Sequence, residues 1–325
     1  MSNNILIILN TVYHVEVALS IYKTLTLLGF KPIIFILWPN NVKYNLAEYL
    51  FLNKIDFITD YVPGVCKTSF SKAIIVSAYP TIERPDAIPG LGHPLFDEFA
   101  PENTILIAHR VNMGENSHKI LCVTPLAKYN NLDYIYLCEN PTEKDQIQPC
   151  EYPVRFLIQG NFFTKRRDLY LIEDFLYRTN INPKLFQFVF VGNNKSNPIL
   201  KISHPSVIQL ENLSESDFYK EINNCHYILP LISSRTGAAT YLNERLSSSL
   251  SLSFCFNKPM IIDREINKIY NAPALEHAND NEFFSNLSEL IKIDSCYYYN
   301  LVGYCKQYKE KLREYNKEIL LKYLI

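Results

Sequence analysis

At 325 residues the chain exceeds the length over which one hydrophobic core keeps growing, so two domains are expected. With 48% hydrophobic and 20% charged residues and a formal net charge of -1, it has the balance of a soluble globular protein. No basic stripe stands out, which argues against nucleic acid as a main partner.

The eight cysteines, at 66, 122, 138, 150, 225, 255, 296 and 305, form no CxxC and no paired spacing with histidine. That pattern fits reduced thiols and no structural zinc. The opening MSNNILIILN lacks a basic flank and a small-residue cleavage site, so residues 5–9 read as a strand and not as a signal peptide. No apolar run reaches membrane-spanning length. The expected location is cytoplasmic, free or peripheral to a membrane.

Residues 4–9 (NILIIL) are continuously apolar, the mark of a strand buried on both faces. A polar turn over 10–14 leads into a helix over 15–28, where apolar residues recur at helical spacing until Gly29. A second apolar run, IIFILW, completes a βαβ unit and implies a parallel sheet. Further β-like segments are read at 49–58, 73–77, 104–108 and 120–123, each closed by a polar or proline-containing loop. Residues 138–153 (CENPTEKDQIQPCEYP), with three prolines and mixed charges, read as an interdomain linker.

A second series starts with VRFLI and Gln159-Gly160-Asn161, and the basic run Lys165-Arg166-Arg167 opens a helix over 168–178. FQFVFV ends in Gly192-Asn193-Asn194; a strand over 207–210 precedes Leu213 and the capping-box-like Ser214-x-x-Asp217. A strand over 227–231 and a loop over 232–241 lead to ERLSSSLSLSFCFNKPMIID. There Ser247, Ser248 and Ser249 start a helix that Lys258-Pro259 stops, and an apolar strand ends at Asp263. Hydroxyls at a helix start cap its orphan N–H groups; any N–H left over combines with the helix dipole into an anion site. Asn279-Asp280 caps another helix, and residues 298–325 read as a long amphipathic helix packed across both domains.

Fold class follows: α/β, with two Rossmann-like doubly wound domains facing a cleft, residues 1–150 and 151–300, and a C-terminal helix over 301–325 that returns towards the first. Ligands favour such clefts. Three features of the second half suit a diphosphate: Gly160, the Lys165–Arg167 run, and Arg245 beside the serine helix start. A run such as KRR usually means solvated surface; its recurrence with the other two is what points to phosphate. There is no GxGxxG after the first strand, no GxxxxGK[ST] and no DxD, so dehydrogenase and P-loop readings weaken and a metal-free site is favoured.

Over 154–263 the chain resembles the two-Rossmann-domain glycosyltransferases (the GT-B superfamily). FLIQGNFFTKRRDL looks like their opening strand, glycine loop and phosphate-contacting cation, and FVFVGNN like the next strand. VIQLENLSESDFYKEINNCHYILPL is similar to their nucleotide-base section, and ERLSSSLSLSFCFNKPMII to their donor-binding helix and following strand. The resemblance implies a nucleotide-diphosphate sugar as donor substrate, no resident cofactor, and a glycan, glycolipid or glycoprotein acceptor. Its donor-binding positions are Gly160, Asn161, Lys165, Arg166, Gly192, Asn193, Leu213, Arg245, Ser247, Ser248 and Ser249. In the retaining subfamily that includes sucrose and glycogen synthases, two glutamates flank this helix; Glu244 matches the first, and Leu252 stands at the second. Inverting members carry an acceptor-activating group near the top of the first strand, where this chain has His14. His14 and Glu244 are therefore the catalytic candidates, with His109 second to His14, and Glu16 and Asp86 behind them. A helix-capping or core histidine is the plainer role for His14. Two other functions fit the same shape: a sugar-nucleotide epimerase, or a nucleotide-sugar-binding module without chemistry.

Overall fold

The computed structural model describes residues 3–10, 14–37, 46–78, 93–109, 119–140, 142, 149, 151–160, 167–192, 202–233, 239–243, 246–292 and 295–325. The chain divides into two compact units: Met1–Glu143 with Glu244–Leu246 and Lys311–Ile325, and Lys144–Asn243 with Ser247–Glu310.

The first unit is built from β1 (Asn4–Leu9), α1 (Val15–Leu27), β2 (Lys31–Ile36), α2 (Leu46–Leu52), β3 (Phe57–Ile58), α3 (Val65–Ser69), β4 (Lys72–Ala78), β5 (Thr104–Ala108) and β6 (Lys119–Cys122). The strands form one sheet in the order β3-β2-β1-β4-β5-β6, every described pair parallel. That is the Rossmann order, in which the chain reverses direction between β1 and β4. Continuous apolar strands are required because both faces are covered: Ile5 to Leu9 and Ile105 to Ala108 are all buried. One expectation fails here. Residues 49–58 are not a strand: Leu46, Tyr49 and Leu50 are buried on one side of the α2 helix, and only Phe57 and Ile58 pair. Their spacing of i, i+3, i+4 is helical, and the apolar content of the segment hid it.

The second unit holds β7 (Val154–Gln159), α4 (Tyr170–Arg178), β8 (Phe186–Gly192), β9 (Val207–Glu211), α5 (Glu215–Asn224), β10 (Tyr227–Ile228), α6 (Ala239–Asn243), α7 (Ser248–Phe256), β11 (Ile261–Asp263), α8 (Arg264–Tyr270), β12 (Leu275–His277) and α9 (Asp280–Lys292). Its sheet runs β10-β7-β8-β9, and β11 and β12 form a parallel pair tied to β10 by a bridge from Ile228 to Met260. Read outward from β9, the order β9-β8-β7-β10-β11-β12 repeats that of the first unit. Here the point of reversal lies between β7 and β10. Phe156, Phe188, Phe190, Tyr227, Phe283 and Tyr298 pack one core. The strand expected over 227–231 is cut short: Pro230 has no N–H to give, and Leu231 takes a left-handed φ of 48°. α10 (Ser295–Leu324) contributes its residues up to Glu310 to this unit and those from Lys311 to the first.

Lys258 illustrates how local sequence becomes packing. Asn257 ends α7 in a left-handed turn, and the next side chain is driven inward, leaving Lys258 1% exposed. Its ammonium donates to the carbonyls of Asn223 (2.8 Å) and Cys225 (2.6 Å), closing the C-terminal end of α5. Burial lowers its pKa to about 8. The unfolded chain then binds the more protons between about pH 8 and the ordinary lysine value near 10.4, so wild-type stability rises over that window. The gain is on the order of 3 kcal/mol, and Lys258→Met should lack it; urea unfolding of both proteins between pH 7.5 and 10.5 measures the difference.

Candidate functional site

In open α/β sheets, ligands gather outside the carboxyl ends of strands where the order reverses. In the second unit that place is the end of β7, where Gln159 and Gly160 meet the start of α7. Gly160 has φ 118°, a conformation that side chains resist, and its amide donates to the Val191 carbonyl at 3.0 Å. A Cβ there would lie 3.1 Å from the Arg167 guanidinium. Arg167 is 4% exposed, and its Nη2 donates to the Gln159 carbonyl (3.1 Å) and to Ser249 Oγ (3.3 Å). Ser248 and Ser249 hydroxyls in turn donate to Gln159 Oε1, at 3.1 and 3.4 Å. So one guanidinium and one amide side chain lock the top of β7 onto the first turn of α7. Asp168 extends the lock to the strand across the reversal: its amide donates to Leu231 O (2.7 Å) and its carboxylate accepts from Ser233 Oγ (2.8 Å).

α7 starts at Ser248 with Ser247 as its N-cap residue, yet the Ser247 side chain makes no capping bond. The residue is 2% exposed, and among the described residues its Oγ has no hydrogen-bond partner. The serines thus do not close the helix end in the ordinary way. A nine-residue helix presents its N–H groups, its positive dipole end and a buried hydroxyl beside an internal cation, the components of an anion site.

Of the expected donor residues, Gly160, Ser247, Ser248 and Ser249 come together here. Gly192 closes β8 and pairs with Glu211, and Leu213 lies half-buried after β9, with Asn212 in a left-handed turn between them. Asn161, Lys165, Arg166, Asn193, Glu244 and Arg245 lie outside the described residues. Leu252, at the position of the second family glutamate, is a core residue at 3% exposure. Sequence reasoning missed Gln159, Asp168 and Ser233 and passed over Arg167; the signal for Arg167 was its place in the KRR run.

In the first unit the corresponding place is the end of β1. The Asn10 amide clamps the neighbouring strand, donating to Ser77 O (2.7 Å) and accepting from Ser77 N–H (2.9 Å). His14 follows at φ 68°, ψ 28°, a left-handed conformation rare for non-glycine residues; its side chain does not cap α1. The capping role is therefore excluded. Its imidazole stacks on His109, ring centroids 3.7 Å apart, and its Nδ1 lies 3.7 Å from Glu16 Oε1. The His109 Nε2 sits 3.3 Å from the Val76 carbonyl, which can only accept, so Nε2 carries hydrogen. Burial, reinforced by the charge of His14, lowers the His109 pKa to about 3. Burial pushes the Glu16 carboxyl up, but the hydrogen bond and charge of His14 outweigh it and hold the group below the ordinary value. Asp86 lies outside the described residues. Among the described residues no three His, Cys, Asp or Glu side chains converge as metal ligands. Burial raises Cys122, Cys225 and Cys305 to about 12, which leaves those thiols inert as nucleophiles.

Two parallel Rossmann-like sheets with this shared strand order define the GT-B fold, and the chain has it. Several solved structures are similar over nearly the whole chain. T4 phage BGT in complex with UDP-glucose, a β-glucosyltransferase, is 12% identical with a TM-score of 0.57, covering 99% of both chains. Sucrose-phosphate synthase from Thermosynechococcus elongatus is 10% identical (TM-score 0.56; 98% of this chain, 97% of that one). Anabaena HepE in complex with UDP-glucose is 9% identical (TM-score 0.54; 98% of each). No protein-family model and no curated protein sequence matches. No described helix is long and apolar enough to cross a membrane.

Proposed function

We propose that this chain is a glycosyltransferase. It moves a hexose or pentose from a nucleoside-diphosphate sugar to a hydroxyl of a glycan, glycolipid or glycoprotein acceptor, without a metal ion. The observation that carries the reading is the end of β7, where the Gly160 turn, the buried Arg167 guanidinium and the uncapped start of α7 converge. Such a place receives a diphosphate with backbone N–H groups and a fixed cation, and the same groups stabilise it as it leaves. The acceptor oxygen bonds to the anomeric carbon while the bond to phosphate oxygen breaks. The diphosphate departs with the electron pair, and the acceptor proton passes to His14 of the first unit. The fold neighbours support the donor class, since two of them hold UDP-glucose. A net charge of -1 and the lack of a basic stripe favour such an acceptor over nucleic acid.

The test is a thermal-shift screen against UDP-, GDP-, dTDP- and CMP-linked sugars, with and without EDTA. A ligand at about 100 times its Kd stabilises by ~2.7 kcal/mol, several degrees for units of this size. No shift with any donor would overturn the reading; a shift that EDTA abolishes would overturn its metal independence. The neighbouring phage enzyme is also known with UDP and Mn2+, so the EDTA arm carries weight. Arg167→Met should weaken nucleotide binding about tenfold, roughly the 1.4 kcal/mol expected for losing a charge-assisted network at the site. If the variant melts lower yet binds UDP as wild type does, the diphosphate does not sit at the end of β7.

A second reading, a nucleotide-sugar-binding module without chemistry, is favoured by Leu252 being core where the retaining subfamily has its second glutamate.

A further inference from the structure

The end of β1 holds more than a single candidate base. Three side chains of different origin meet there: His14 from the turn before α1, Glu16 from the first turn of α1, and His109 from the end of β5. His14 and His109 stack with 29° between their ring planes, and Glu16 reaches the Nδ1 edge of His14 at 3.7 Å. We propose that Glu16 and His109 are positioning residues for His14, the carboxylate setting its edge and the His109 ring setting its plane. The proposal rests on the reading of His14 as the acceptor-activating base, and names the parts that make it one.

Three observations carry it. The left-handed backbone of His14 is costly for a β-carbon-bearing residue and persists only where surroundings hold it; such outliers cluster at functional sites. Its neighbours fix two different degrees of freedom of the ring. A stack restrains tilt, and a carboxylate at one nitrogen restrains rotation about the Cβ–Cγ bond. Finally, the pair cannot share charge. Val76 O fixes hydrogen on His109 Nε2, and burial with the charge of His14 keeps that ring neutral into the acid range. Glu16, held below the ordinary carboxylate value, stands ionised at the His14 edge. Within the trio, the charges acting on Glu16 are those of the two imidazoles, and those acting on His109 are those of His14 and Glu16. Asn10 and Ser77 hold the strand ends beneath it without adding charge.

Glu16→Gln keeps the size of the side chain and removes its charge from the His14 edge. kcat should fall roughly five- to tenfold while donor KM stays within twofold. His109→Ala should lower kcat by a similar factor, and His109→Phe, which keeps a flat ring, should restore most of it. Turnover is followed as UDP released from UDP-glucose, and, independently of any substrate, by NMR of 15N-histidine-labelled protein. There the His109 signals should report a neutral Nε2–H ring from pH 8 to pH 5. A His109 ring that titrates in that range, or a Glu16→Gln protein whose kcat equals that of wild type, overturns the proposal. If those NMR results hold but His14→Asn turns over normally, the base reading fails and the positioning geometry stands.

Discussion

His14→Asn is expected to lower kcat by 10²–10⁴ while the donor-induced rise in melting temperature is unchanged, the range that loss of a general base produces. Asparagine is the informative substitution because it tolerates the left-handed region that His14 occupies at φ 68°, whereas alanine adds strain to the loss of chemistry. The two replacements separate the effects: His14→Ala should lose as much activity and also melt lower, His14→Asn only the activity. Donor binding is spared because His14 belongs to the first unit and the groups assigned to the diphosphate belong to the second. Measured on the donor selected by thermal shift, normal turnover by His14→Asn would remove the imidazole from the reaction. A protein that binds donor but releases no nucleoside diphosphate, in wild type and variant alike, would instead be the binding module.

Much of the fold was legible because parallel strands buried on both faces must be continuously apolar, and NILIIL, TILIA and FQFVFV have no other economical use. Residues 49–58 misled for the same reason: apolar content was taken as strand, and the spacing of Leu46, Tyr49 and Leu50 was the better guide. The site was legible only in part. Glycine and serine at strand and helix ends could be read as phosphate-friendly, because their roles come from the backbone. That Arg167 turns inward could not, since that depends on a fold-distant partner, Ser249, eighty-two positions away. His14 and His109 were singled out separately; their stacking needed β1 and β5 to take places in one sheet. A carboxylate two residues on from a histidine does not face it in a regular helix; Glu16 does so here because His14 is not helical at all.

Arg313→Ala is expected to destabilise the first unit by about 3–5 kcal/mol, the cost of stranding a buried charge. Glu139 is 2% exposed, and the Arg313 fork meets it with two bonds, Nε to Oε1 at 2.8 Å and Nη2 to Oε2 at 2.7 Å. Around this pair the last turns of α10 are bound by backbone as well: Asn316 donates to Tyr136 O and accepts from Tyr136 N–H, both at 2.8 Å. Lys72 and Lys119 then receive the helix end at Tyr323 O, at 3.2 and 3.3 Å, where two cations face the negative end of the dipole. The ion pair is thus one part of a polar seam, and what makes its rupture costly is the unmatched carboxylate rather than the attraction lost. Removing both charges should therefore be far milder: Arg313→Leu with Glu139→Leu is expected to recover more than half of the loss. Urea unfolding followed by the fluorescence of the chain's one tryptophan, Trp38, reports on this unit. With a slope of about 1–3 kcal/mol per molar, a shift of a molar or more is expected for Arg313→Ala. A midpoint within a few tenths of a molar of wild type would mean that the carboxylate finds solvent when its partner goes, and that the seam holds the helix by its backbone bonds alone.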